Sequence, residues 1–253
     1  MSTPFQIRNE LVEYGRRLYE RNHICAAEGN LSTRLPDGRI MITPSGACKG
    51  YMKAEEMIIC DGAGKKLQGA GKPSSEIKLH AAIYNWRPDI MAICHAHPIY
   101  ATAYSTARVP LMRPILPEVV GTIGAVPLAH YGTPGSSDLP ETLAALIDRY
   151  DTFLLEAHGV LSLGKSIADA FNKIETVERF AAILFIAEQI GPVKELSAQE
   201  TERLLRTCGR LNLKDDIIIS SAVKFESAKV EPPKPSGRNK NAPDKESGAA
   251  GYR

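Results

Sequence analysis

The sequence predicts an α/β protein, and three observations carry that reading. Helical and extended patterns alternate along most of the chain, amphipathic stretches giving way to short apolar runs. The extended runs are bounded by turn signals such as Pro36-Asp37-Gly38 and Asp61-Gly62-Ala63-Gly64. The 253 residues are 43% hydrophobic and 24% charged, an ordinary globular composition in a chain long enough to bury a sizeable core. One domain is expected over residues 1–226, followed by a tail over 227–253.

The elements follow in order. Thr3-Pro4 opens an amphipathic helix with Leu11, Tyr14, Leu18 and Tyr19 on one side, since threonine caps well and proline suits the first turn. Strands are expected at 31–35 and 39–43, then at 57–60 and 65–68 as a second hairpin. Residues 75–86 read as a helix, with Ile77, Ala81 and Tyr84 recurring on one face. A buried strand over 90–94 leads into a short helix over 98–105. A helix over 139–150, strands over 153–156 and 160–163, and a long apolar helix over 167–190 come next. Ser197 and Glu200 have capping-box spacing and start a last helix.

From about Ser227 the chain is rich in Lys, Pro, Ser, Gly and Asn and nearly devoid of aliphatic residues. Such a segment cannot bury enough surface to offset ordering entropy, so disorder is expected. It is read as a plain extension or as a docking segment for an unknown partner. The net charge of +2 gives no nucleic-acid footprint. No stretch looks like a signal peptide or reaches the roughly 20 apolar residues that span a bilayer, so no membrane partner is expected. The five scattered cysteines form no C-x-x-C pair and read as reduced thiols in a cytoplasmic protein.

Functional candidates begin with Ile93-Cys94-His95-Ala96-His97-Pro98. Side chains at i and i+2 of an extended chain share a face, so His95 and His97 can converge on one divalent metal. The alternative is a pair of solvent-exposed loop histidines. A third ligand would follow another strand, and His158 does, with Gly159 beside it to ease a turn. His23 reads as a surface or cap residue and His80 as a satisfied helix residue. His130 lies near a turn without an evident role. Ser74 and Ser75 precede a helix whose first turn is expected to hold Glu76, and a helix N-terminus suits a phosphate. Plain N-capping explains the serines equally well. The turns Glu28–Ser32 and Thr43–Gly46 are ordinary turn signatures taken singly.

Together these residues resemble the class II aldolase/adducin family, most closely its fuculose-phosphate aldolases. The resemblance covers roughly residues 5–215. It rests on Gly29-Asn30-Leu31-Ser32, Thr43-Pro44-Ser45-Gly46, Lys72-Pro73-Ser74-Ser75-Glu76, His95-Ala96-His97-Pro98 and His158-Gly159-Val160, in the family's order. The 61-position spacing from His97 to His158 is that of the fuculose-phosphate aldolases, where the 4-epimerases carry a longer insert.

The resemblance implies a three-layer α/β/α sandwich around a mostly antiparallel central sheet, assembled as a homotetramer with active sites at subunit interfaces. It implies one Zn²⁺ per subunit on His95, His97 and His158. Glu76 would be the acid/base and a fourth ligand when no substrate is bound. Gly29, Asn30, Ser45, Gly46, Ser74 and Ser75 would cradle the phosphate of a small phosphorylated sugar. The activity implied is aldol cleavage of a ketose 1-phosphate, such as L-fuculose 1-phosphate, to dihydroxyacetone phosphate and a lactaldehyde-type aldehyde, without a lysine Schiff base.

One stretch departs from the bacterial fuculose aldolases. Their loop tyrosine has no counterpart here, where the matching position is about Pro114. Glu118 falls near an acidic catalytic residue of the 4-epimerases, and it reads either as that or as a surface acid after Pro117. The departure leaves open a 4-epimerase, a dehydratase or a sugar-acid-phosphate decarboxylase. Glu76, where the 4-epimerases of the family carry aspartate, speaks for the aldolase, and the three intact histidines speak against a non-enzymatic adducin-like scaffold. Tyr252, close to the chain end, is expected to be non-catalytic.

Overall fold

The computed structural model describes residues 3–208. The expected boundary near 226, the tail and Tyr252 lie outside them. Helix α1 (Pro4–Glu20) starts as expected: Thr3 accepts from the Gln6 N–H, and the Gln6 side chain accepts from the Thr3 N–H. Such a cap contributes about 1 kcal/mol. Strands β1 (Asn30–Arg34) and β2 (Ile40–Ile42) form one hairpin, and β3 (Ile58–Cys60) and β4 (Lys66–Gln68) a second. Helix α2 spans Ile77–Trp86 and strand β5 spans Ala92–Ala96. Helices α3 (Ile99–Thr106) and α4 (Pro117–Thr122) precede β6 (Leu128–Ala129). Helix α5 (Asp138–Glu141), strands β7 (Thr152–Leu155) and β8 (Gly159–Gly164), and helices α6 (Ile167–Ile190) and α7 (Ala198–Thr207) are the remaining elements of the described residues.

The eight strands form one sheet in the order β4-β3-β2-β1-β5-β8-β7-β6. Every neighbouring pair is antiparallel except β6–β7. In β5, Ala92, Cys94 and Ala96 face one core with Leu11, Phe171 and Phe180, whereas Ile93 faces the other with Ile83, Tyr84 and Leu143. That two-residue period puts α1, α3 and α6 on one face of the sheet and α2 and α5 on the other. The sandwich expected around a mostly antiparallel sheet is present. Phe153 and Phe180 are fully buried, and each such side chain contributes roughly 1.5–3 kcal/mol.

The expected helix over 139–150 is a correction. Only Asp138–Glu141 is α-helical, and the chain continues through successive tight turns, with bonds such as Leu143 N–H to Pro140 O and Arg149 N–H to Leu146 O. Leu139, Leu143 and Ile147 still reach the core, so apolar spacing was satisfied without a continuous helix. Among the described residues no helix is long and apolar enough to cross a membrane.

Candidate active site

Strand β5 carries His95 inside the sheet, 1% exposed, with Asn30 of β1 and Leu161 of β8 as its lateral neighbours. Its Nδ1 lies 2.9 Å from the Val160 carbonyl. A carbonyl only accepts, so Nδ1 carries the hydrogen and Nε2 presents a lone pair. That lone pair faces His97 Nε2 at 3.1 Å and His158 Nε2 at 3.2 Å. One lone pair cannot accept from two N–H groups, whereas a cation between the three nitrogens satisfies all of them.

Glu76 closes the cluster. Its Oε2 lies 3.4 Å from His95 Nε2 and its Oε1 3.3 Å from His158 Nε2. Metal–nitrogen bonds of 2.0–2.1 Å in a tetrahedron require ligand–ligand edges of about 3.4 Å. The donor atoms therefore fit a tetrahedral divalent metal. Burial, with the neighbouring imidazoles of His158 and His97, holds His95 well below the ordinary histidine value. Burial also lowers His158, against the pull of Glu76. Neutral imidazoles are the ligating form.

Local backbone explains the aim of each group. Gly159 is required for space: a Cβ there would stand 2.5 Å from the His97 ring and 2.6 Å from the Ala96 carbonyl. The left-handed residue of that turn is Ala157 (φ 53°), not the glycine. Gly29 is doubly constrained, with φ 68° and the His95 carbonyl 2.7 Å from a would-be Cβ. Glu76 is the N-cap of α2 and not part of its first turn. It makes no capping bond with its side chain, which leaves the carboxylate for the site. Glu28 flanks the cluster, 3.7 Å from His97 Nδ1. A cavity of about 750 Å³ opens onto His97 and His158, lined also by Tyr19, Cys25, Glu28 and Ile99.

The proposed anion cradle is partly assembled. Ser45 N–H donates to Lys72 O and Ser74 N–H to Thr43 O, zipping the two serine-bearing segments together. Ser45, Gly46 and Ser75 are exposed, and Ser74 is buried with its hydroxyl accepting from the Glu76 N–H. The side chain of Asn30, expected in that cradle, bonds to Glu76 and His80. Its amide donates to Glu76 Oε2 at 2.8 Å, and its carbonyl oxygen lies 2.6 Å from His80 Nε2, so both polar ends are engaged.

Glu118 is not brought to the histidines within this chain. It lines a separate cavity of about 510 Å³ with Glu175 and Arg179. The loop around Pro114 is fastened to α6 and its following segment by Arg113, which reaches Glu188 and Glu195. His130 is exposed. His23 takes the cap place expected of it and not the surface one: its N–H donates to the Leu18 carbonyl at the end of α1, and it is buried with its ring 2.7 Å from Glu175 and its carbonyl accepting from the His97 N–H.

Two further buried groups support the site: Lys49, which gave no signal in the sequence, and His80, which is the satisfied helix residue expected. Lys49 is 2% exposed and its ammonium donates to the carbonyls of Ala27 and Ala47, tying the Gly29 loop to the Ser45 loop. Burial lowers its pKa. His80 joins Asn30 to Ser32 in a chain of buried polar groups.

The structure is an α/β/α sandwich with three histidines at the end of its central strands, placed so that they could hold a metal ion, and one carboxylate against them. Residues 9–185 match the family model for the class II aldolase and adducin N-terminal domain, and the chain belongs to that family. It is similar to a 3-oxo-tetronate 4-phosphate decarboxylase of Pectobacterium atrosepticum, 36% identical over 190 residues, 74% of this chain and 87% of that relative. It is also similar to an L-fuculose phosphate aldolase of Methanococcus maripaludis, 32% identical over 182 residues, 72% of this chain and 97% of that relative. The solved structure of YgbL from Klebsiella pneumoniae superposes with a TM-score of 0.76 at 36% identity. The match covers 81% of this chain and all of that one.

Proposed function

We propose that the chain is a metal-dependent lyase that decarboxylates a 3-oxo sugar-acid phosphate of the 3-oxo-tetronate 4-phosphate type, working as an oligomer. The single observation carrying this reading is one carboxylate, Glu76, set against three converging imidazoles. A divalent metal held by His95, His97 and His158, zinc by the chemistry of the donor set, would supply Lewis acidity at the substrate ketone and at the oxygen that gains negative charge. Breaking the C1–C2 bond of such an acid releases carbon dioxide and leaves its electron pair in an enediolate. Glu76 then delivers one proton to C2, and dihydroxyacetone phosphate results. Ser45, Gly46, Ser74 and Ser75 hold the phosphate, and Lys49 keeps two of the cradle's loops in register.

Aldol cleavage of a ketose 1-phosphate passes through the same enediolate and is the second reading, supported by the aldolase relatives. It differs in one requirement. A hydroxyl must lose its proton as the carbon–carbon bond breaks, whereas a departing carboxylate has none to lose. The 3-oxo-tetronate 4-phosphate decarboxylase relative, 36% identical against 32% for the aldolase, supports placing decarboxylation first. The deciding experiment supplies the zinc-loaded protein with 3-oxo-tetronate 4-phosphate and, separately, L-fuculose 1-phosphate, and follows carbon dioxide and dihydroxyacetone phosphate. Release of both products from the acid alone supports the proposal, and turnover of the ketose phosphate alone replaces it with the aldolase.

A further inference from the structure

A file of buried polar groups runs from Tyr84 to Glu76. The Tyr84 hydroxyl lies 2.8 Å from Ser32 Oγ, Ser32 Oγ 2.6 Å from His80 Nδ1, and His80 Nε2 2.6 Å from Asn30 Oδ1. The Asn30 amide then donates to Glu76 Oε2. Ser32 and His80 are fully buried, and Asn30 and Tyr84 nearly so. These residues come from β1 and α2, and Asn30 is the one that reaches the carboxylate.

The protons in this file have one consistent arrangement. A carboxylate only accepts, so the Asn30 nitrogen must face it and the Asn30 oxygen must face His80. His80 Nε2 must then carry the hydrogen, which leaves Nδ1 to accept from the Ser32 hydroxyl. Ser32 Oγ in turn accepts from Tyr84. Burial pushes the His80 pKa down to about 4, so the ring stays neutral and can hold this tautomer. A flip of the Asn30 amide would put two oxygens against each other at one end and two N–H groups at the other.

We propose that His80 is a positioning residue that locks the Asn30 amide so that it clamps Oε2 of Glu76, which assigns the proton exchange with substrate to Oε1, the oxygen beside His158. The inference rests on Glu76 as the proton carrier. Ser32 and Tyr84 fix the His80 tautomer from behind.

The test uses zinc-loaded full-length protein and one half-reaction common to both readings above, exchange of the carbon-bound hydroxymethyl hydrogen of dihydroxyacetone phosphate with deuterated solvent, read by NMR. His80→Leu fills the space without a donor and should slow exchange by about 10–100-fold, as loss of outer-shell partners does, with KM and zinc content held within about twofold. His80→Gln restores an N–H near Nε2 and should recover most of the rate. In a Glu76→Gln background, His80→Leu should add no further loss. Long-range ¹⁵N–¹H spectra should show His80 as the Nε2–H tautomer. A full exchange rate in His80→Leu, or a loss that persists undiminished beside Glu76→Gln, overturns the proposal, as does an Nδ1–H tautomer. If His80→Leu does not fold, Ser32→Ala decides: a slowed rate at unchanged KM supports the clamp, and an unchanged rate overturns it. Unimpaired exchange in Glu76→Gln alone would instead remove the role given to Glu76.

Discussion

The two walls of the site are made differently. The metal wall stands on the central sheet: His95 lies within β5, and His158 and Gly159 sit where β7 turns into β8, with spacing so tight that a methyl group at 159 would strike His97. The wall proposed for the phosphate stands on turns, where Ser45, Gly46 and Ser75 are exposed and a Cβ at Gly46 would meet nothing within 4 Å. Groups that carry chemistry are held by core packing, where displacement is costly. Groups that grip a phosphate act through hydroxyls and backbone N–H groups, which tolerate small shifts.

The largest expected effect falls on the metal wall. His95→Ala removes a ligand from the buried strand. Losing several kcal/mol of charge stabilisation corresponds to roughly a thousandfold or more in rate. Metal analysis should show depleted zinc beside an unchanged far-UV circular dichroism spectrum, and a normal zinc content would take His95 out of the ligand set. Glu76→Gln keeps the shape and the metal but cannot deliver a proton. Turnover should fall about 10²–10⁴-fold with zinc retained, as general acid catalysis is worth.

Gly159→Ala tests the tightness itself. Overpacking costs about 1–3 kcal/mol, and the crowded His97 should weaken metal affinity, measured by competition with a chelating dye. Unchanged affinity would mean that the metal wall is as tolerant as its counterpart. The smallest effect belongs to the phosphate wall. Ser75→Ala forfeits one hydrogen bond of about 1 kcal/mol, so KM should rise about fivefold at constant kcat. A drop in kcat instead would show that this wall takes part in the chemistry.

The sequence revealed the metal wall more fully than its support. His95 and His97 announce themselves by spacing on a strand, and Thr3 and Ser197 by local capping patterns. The two-residue β6 was missed, because Leu128–Ala129 has no periodicity to read and pairs with a strand far along the chain. The 139–150 stretch was over-read because apolar spacing is helical even where the backbone is not. Lys49 gave no signal, and the partners of His80 and Asn30 could not be read, since they lie some 50 positions away and only the fold brings buried polar groups together. Glu118 shows the converse: a plausible motif position whose side chain, within one chain, looks into a different cavity.

The turn that carries His158 has a consequence for the life of the protein as well as for its chemistry. An ion shared by β5 and the β7–β8 turn joins strands that the sequence separates by some sixty residues, so it binds the folded chain and not the unfolded one. By mass action an ion at a hundred times its dissociation constant adds about 2.7 kcal/mol to folding stability. With an ion held there as proposed, metal supply would set how long each molecule survives proteolysis. A cell starved of the ion would lose the protein itself, and not merely its activity.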